Sequence, residues 1–361
     1  MAQPRAAAID LLKAAACVAI VWHHLAFYGP MSDAARPLWP AAVDALYTYG
    51  RMAVQVFLVV GGYLTAASLA PDGRPLLPAP VGVLLWRRWR RLVLPYAVAL
   101  AAAMLVAALL RPWFGHASVP PAPTLTQVAA HLLLLHDLLD QEALSAGVWY
   151  VAIDFQLYAL AVVGLALGSR GRGGGRLLAA GAVAGGVSLL CALSLFWFNR
   201  DPRWDETALY FAGAYGFGML AWLGARAPRP AWAAAALLAL GLSALLVDFR
   251  GRIAVALATA VLLLWAGRAA AGRLPVPGWV TALAHRSYAV FLIHFPVCLA
   301  VGAVVELLWP AAPWPAAAGM LLAFGLSLVA GHLLYESVER RFASPPRRTT
   351  SSLEAGVVSR A

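Results

Sequence analysis

The chain has 361 residues, of which 62% are hydrophobic and only 12% charged, and its mean hydropathy is +0.76. A soluble domain is about 45–50% apolar and about 25% charged, so a soluble fold is excluded and a polytopic membrane protein is indicated. The formal net charge of +11 does not mark a nucleic-acid binder, because the basic residues sit at the ends of apolar runs and no soluble binding fold accompanies them.

Apolar runs long enough to span a bilayer alternate with short joints rich in Gly, Pro or Arg, and about ten can be placed. They cover roughly 8–28, 50–70, 89–111, 147–168, 177–198, 207–225, 231–248, 253–270, 286–308 and 315–338. The eighth is the weakest, being short and flanked by arginines. The expected fold is therefore all-α: a polytopic membrane helix bundle occupying 1–342 as one domain, with 343–361 as a disordered cytoplasmic tail. No cleavable signal peptide is evident. Cys17, Cys191 and Cys298 fall inside spans without a CxxC pair, so they read as small core residues.

Charge orients the bundle. "WRRWRRL" at 86–92, "SRGRGGGR" at 169–176, "RAPR" at 226–229, "GRAAAGR" at 267–273 and "RRFASPPRR" at 340–348 share one set of joints. Roughly 20 of the 27 Lys and Arg residues lie on that side. The positive-inside rule then puts both termini in the cytoplasm, and the expected location is a bacterial inner membrane. The opposite joints carry acidic stretches, "HDLLDQE" at 136–142 and "NRDPRWDE" at 199–206. Before the fourth span, "TLTQVAAHLLLLHDLLDQ" reads as an amphipathic interfacial helix on the outer side, with His131, Leu134 and Leu138 on one face, acting as a connector rather than a lid.

Polar groups inside the spans mark function by default. The first span contains "CVAIVWHHLAFYG". His24 lies 11 residues after Lys13, three helical turns, so the two share a face about 16 Å apart. Asp10 is near the same stripe, whereas His23 is turned about 100° away and reads as structural. Adjacent histidines on one helix do not readily ligate one metal. His24 has three rival readings: a packing histidine, a haem ligand paired with His294, or a proton relay. The fourth span opens "VWYVAIDFQLYAL", placing Asp154 within an apolar run, with Tyr150 and Tyr158 one turn either side. A lone intramembrane carboxylate needs a partner, and His24 is the obvious imidazole. The ninth span, "HRSYAVFLIHFP", puts His294 one to two turns inside the membrane, and Glu339, beside Arg340 and Arg341, reads as an interfacial ion pair.

These motifs, in this order, resemble the membrane-bound acyltransferase-3 family. The D-x-x-[RK] motif with His at +11 is met by Asp10, Lys13 and His24; "VFLVVGGYL", including Tyr63, is followed by "RRWRRLVLPY". "WYVAIDFQLY" supplies Trp149, Tyr150, Asp154, Gln156 and Tyr158, and "SYAVFLIHFP" with "YESVERRF" supplies Ser287 and His294. Four positions depart from the pattern: Lys13 stands for Arg, Gly61 for Ser, Asp154 for Glu and Phe155 for an acidic residue. The resemblance implies an O-acyltransferase moving an acyl group, acetyl in the first instance, from cytoplasmic acyl-CoA to a hydroxyl. The acceptor would be an envelope glycan, glycolipid or small metabolite. Acyl-CoA would be a co-substrate, with no permanently bound cofactor and no metal. His24 is then the general base or a transient acyl carrier, Asp154 the partner that orients it or holds its positive charge, and Lys13 a contact to the donor or the thioester oxygen. Arg87, Arg88, Arg90 and Arg91 form a cationic cluster suited to the donor phosphates. The rival class is a multispan transporter or flippase that uses the same stripe without covalent chemistry.

Overall fold

The computed structural model describes residues 4–170, 176–268 and 275–342. Thirteen helices of at least six residues follow one another: α1 (Pro4–Phe27), α2 (Pro30–Ala35), α3 (Pro40–Tyr49), α4 (Ala53–Leu69), α5 (Val81–Leu110), α6 (Leu125–Leu132), α7 (Trp149–Arg170), α8 (Arg176–Phe196), α9 (Ala208–Ala225), α10 (Pro230–Val247), α11 (Gly251–Ala266), α12 (Gly278–Leu308) and α13 (Pro313–Leu334). Prolines at the first turns of α2, α3, α10 and α13 start those helices where no backbone N–H partner is needed. Thr124 and Gln127 close a reciprocal capping box on α6. All described regular structure is helical, as a lipid-embedded backbone requires when it must satisfy its own polar groups.

Nine helices among the described residues are long and apolar enough to cross a bilayer, with α3 and α4 joined as one. The expected eighth span is the exception: α11 has 16 residues, about 24 Å against a hydrocarbon core of about 30 Å. Counting α11 as a short crossing, alternation returns α13 to the side on which α1 begins. Two other boundaries move. α5 begins at Val81 and α12 at Gly278, each eight residues before the expected start. The arginines of "WRRWRRL" are therefore helical rather than in a joint. The proposed tail, 343–361, lies outside the described residues, as do parts of the basic joints at 169–176 and 267–273.

The central helices approach closely through small residues. A Cβ on Gly62 would collide with the backbone carbonyl of Tyr215, and one on Gly218 with that of Val59. This lets α4 and α9 pack backbone to backbone, the usual solution where lipid offers no hydrophobic drive between helices. α1, α4, α9 and α12 form the interior, whereas α8 and α10 turn most of their surface outward.

The segment after α5 is not a helix lying flat on the surface. α6 ends at Leu132, and the chain then dips between α5 and α7. Trp89 Nε1 donates to the Leu132 carbonyl at 3.2 Å, and Gln156 Nε2 to that of Leu134 at 3.2 Å. His131 and Leu134 are fully buried while Leu138 is exposed, so the three do not share one face. Non-helical backbone at such depth is tolerated because protein surrounds it.

Candidate active site

The first question is what satisfies two adjacent histidines. His23 turns to α3, its Nδ1 3.1 Å from the Leu46 carbonyl, which makes it a structural tie. His24 turns to α12, its Nδ1 2.6 Å from His294 Nε2. The two rings are edge to edge, with planes 10° apart and centroids separated by 4.8 Å. His24 is 7% and His294 0% exposed, so neither ring faces lipid. The longer α12 explains the meeting: His294 stands 16 residues after Gly278, about 24 Å along the axis, and so reaches the depth of His24.

The hydrogen-bond chain assigns the protons. His294 Nδ1 lies 2.7 Å from the Phe291 carbonyl, which can only accept. With Nδ1–H donating, the Nε2 of neutral His294 accepts. His24 must then donate from Nδ1, leaving its Nε2 with the lone pair and no hydrogen-bond partner among the described residues. A fixed tautomer with one bare nitrogen is what a general base needs. The same geometry removes the haem reading. Two nitrogens on opposite sides of one metal would stand about 4 Å apart, whereas these are at hydrogen-bond distance. Among the described residues, no group of three or more His, Cys, Asp or Glu side chains is placed to hold a metal ion.

Asp154 does not orient His24. It binds Arg88, with Oδ2 2.5 Å from Nη2, and the guanidinium also lies over the Tyr158 ring at 5.1 Å. The reason is positional: α5 starts earlier than the apolar run suggested and carries Arg88 to the level of α7. Gly61 belongs to this arrangement, since a Cβ there would stand 3.2 Å from Asp154 Oδ1 and 3.3 Å from the Tyr215 ring. The glycine in place of serine leaves room for the pair.

An inner cavity of about 570 Å³ opens beside these groups. Lys13, Arg91 and Glu339 line it toward the basic face; Tyr150, Asp154, Ser287 and Phe291 line it deeper in. Phe291 is the lining residue nearest to His24. A Cβ on Gly147 would meet both the Phe291 ring and His24 Cε1 at 3.1 Å, so that ring stands against His24 at the cavity wall. Of the expected donor cluster, Arg88 and Arg91 line the cavity, whereas Arg87 and Arg90 are exposed and outside its lining, Arg90 over the Phe342 ring. Asp10 is not among the lining residues, Tyr63 packs edge-on against Trp222, and Gln156 tethers α7 to the buried segment.

Glu339 departs from expectation. The ion pair of Arg340 goes to Glu336 at 2.6 Å, while a π-helical turn over Tyr335–Glu339 rotates Glu339 inward to the cavity that Lys13 and Arg91 share. Sequence spacing alone cannot show this, because an α-helix would place Glu339 elsewhere.

A second cavity, about 630 Å³, lies on the outer side. Trp149 lines it while the next residue, Tyr150, lines the inner one, and Ile153 and Asp154 divide in the same way. The two cavities are thus separated by little more than a turn of α7 and of α4, at the level where Gly147 touches His24.

A family model described as an acyltransferase domain matches residues 6–332. Searches of curated proteins and of solved structures return no significant match. A match over so much of the sequence, on a membrane bundle built around a buried histidine pair, establishes that the chain belongs to the acyltransferase-3 family and is an acyltransferase.

Proposed function

We propose that the protein is an O-acyltransferase that takes an acyl group, acetyl in the first instance, from acyl-CoA entering the inner cavity and delivers it to a hydroxyl arriving from the outer face. The observation that carries this reading is the buried His24–His294 pair, its tautomer fixed by the Phe291 carbonyl, with the Phe291 ring lining the inner cavity. His24 Nε2 removes the proton from the acceptor hydroxyl as its oxygen attacks the thioester carbonyl carbon. The carbon–sulfur bond then breaks, and the leaving thiolate takes the proton back from His24. The products are an ester and free coenzyme A, and both histidines return to their starting state.

Lys13 lies about 16 Å from His24 along α1, too far to touch the carbonyl under attack. With Arg91 it instead holds the phosphate-bearing end of the donor, leaving the pantetheine arm to run toward Phe291, whose ring must swing aside to admit the thioester. Arg88 and Asp154 hold the wall of this channel as a pair. Positive-inside charge supports a cytoplasmic donor side, with the membrane taken to be a bacterial inner membrane. The test is purified protein in sealed proteoliposomes with acetyl-CoA: acceptor-dependent thiol release supports the reading. Movement of unmodified solute with no thiol release contradicts it and favours a transporter.

A further inference from the structure

The outer cavity carries charges that the transfer step leaves unused. Asp137, Asp205 and Glu206 line it, opposite Arg51, Arg250 and Arg252, a formal balance. The two signs are engaged differently. Arg250 donates Nη1 to Asn199 Oδ1 at 2.6 Å and Nη2 to the Leu195 carbonyl at 2.9 Å. Arg252 donates to the Asn199 carbonyl at 2.9 Å and lies over the Tyr210 ring at 4.7 Å. Both arginines brace the loop after α8, and Arg51 stands at the exposed rim.

The carboxylates have no such engagement. Among the described residues no arginine lies within ion-pair distance of Asp137, Asp205 or Glu206; Asp137 has only the buried His136, 3.5 Å away. Burial first, and then the charge of Glu206, push the Asp137 carboxyl up to about 6. Asp137 and Glu206, facing one cavity with no arginine at ion-pair distance, are arranged for a cation that arrives with the ligand. A second feature is independent of charge. Gln55 is 6% exposed and lines the same cavity, and its side-chain amide has no hydrogen-bond partner among the described residues. With no protein partner and a place in the lining, the amide is open to a ligand in the cavity. Beside it, Trp149 offers a flat ring, stacked on Phe211 with centroids 5.2 Å apart.

We propose that the outer cavity is the acceptor subsite and that it selects a polyol bearing a cationic amine, an amino-sugar type of ligand. Its ammonium sits between Asp137 and Glu206, a hydroxyl meets Gln55, and the apolar face of its ring lies on Trp149. Held as an ammonium, the nitrogen has no lone pair, so acylation goes to oxygen. The wall between Trp149 and Gly147 then places a neighbouring hydroxyl toward His24. This assignment of an acceptor rests on the transferase reading above, whereas amine selection at the cavity does not.

The test separates the two. Full-length protein in nanodiscs is titrated calorimetrically at pH 7 with methyl α-glucosaminide and with methyl α-glucoside, without acyl donor. Acetyl-CoA binding is measured in the same preparations. The expected result is at least tenfold tighter binding of the glucosaminide. That preference falls to the level of the neutral sugar in Glu206→Gln, an exposed loop substitution that leaves packing intact, and in Asp137→Asn, with acetyl-CoA binding unchanged. Equal affinity for the two sugars, no binding of either, or a preference that survives both substitutions overturns the proposal. Selective binding in a protein that never releases thiol supports the amine site and removes the transferase reading alone.

Discussion

The inner and outer cavities are similar in size and opposite in construction. The inner one is built from residues on spanning helices, and it holds one close ion pair, Arg88 with Asp154, beside Lys13, Arg91 and Glu339, which share its lining. The outer one is built largely from loops and helix ends, and its carboxylates are left without cations. A charge inside a span must be compensated by the protein, because lipid supplies nothing. A charge at an outer mouth can wait in water for a ligand. On the proposed reading, the inner half is the channel for the donor and the outer half is the mouth that selects the acceptor.

The largest expected effect breaks the shared centre. His24→Ala removes the base and lowers acyl transfer by on the order of 10³-fold, with expression retained, as measured by acceptor-dependent thiol release. Arg88→Gln strikes the settled inner charge. It leaves Asp154 buried and alone, and should cost about 3–5 kcal/mol of stability in thermal unfolding. Arg88→Gln with Asp154→Asn should recover most of that loss, because it is the unpaired charge that is costly. Equal destabilisation of the single and double variants would show that packing matters more than pairing.

His294→Ala frees the His24 tautomer without removing the base, so transfer falls by on the order of 10²-fold with the donor Michaelis constant unchanged. Arg91→Gln works the other way, raising that constant about tenfold while kcat holds. The smallest effect belongs to the outer mouth. Asp137, facing Glu206, His136 and the Tyr96 hydroxyl, carries a carboxyl raised to about 6, while burial lowers His136 to about 3. The charge on Asp137 is therefore present above about pH 6 and lost below it. Binding of an amine probe should weaken a few-fold between pH 7 and pH 5, and Asp137→Asn should abolish that dependence.

The same contrast explains what was legible in the sequence. The helix bundle and the burial of a polar stripe residue such as His24 follow from apolar length and helical spacing, because each of these acts within one span. The partner of His24 did not follow. Asp154 was the chemically natural choice, but α5 and α12 extend eight residues beyond their apolar cores. That extension brings Arg88 to Asp154 and His294 to His24. The inward turn of Glu339 depends on a π-helical stretch that no spacing rule anticipates. The outer cavity gathers Gln55, Asp137, Trp149 and Glu206 from four separate segments, so no local pattern announces it.

The central claim is that donor and acceptor meet at His24 from opposite faces. Inside-out membrane vesicles from producing cells, supplied externally with acetyl-CoA labelled in its acetyl group, test it most directly. The account predicts that membrane-impermeant acetyl-CoA on the basic face alone labels acceptor held in the vesicle lumen, and that His24→Ala vesicles do not. Labelling only when donor and acceptor share one face, or undiminished labelling in His24→Ala vesicles, would contradict it.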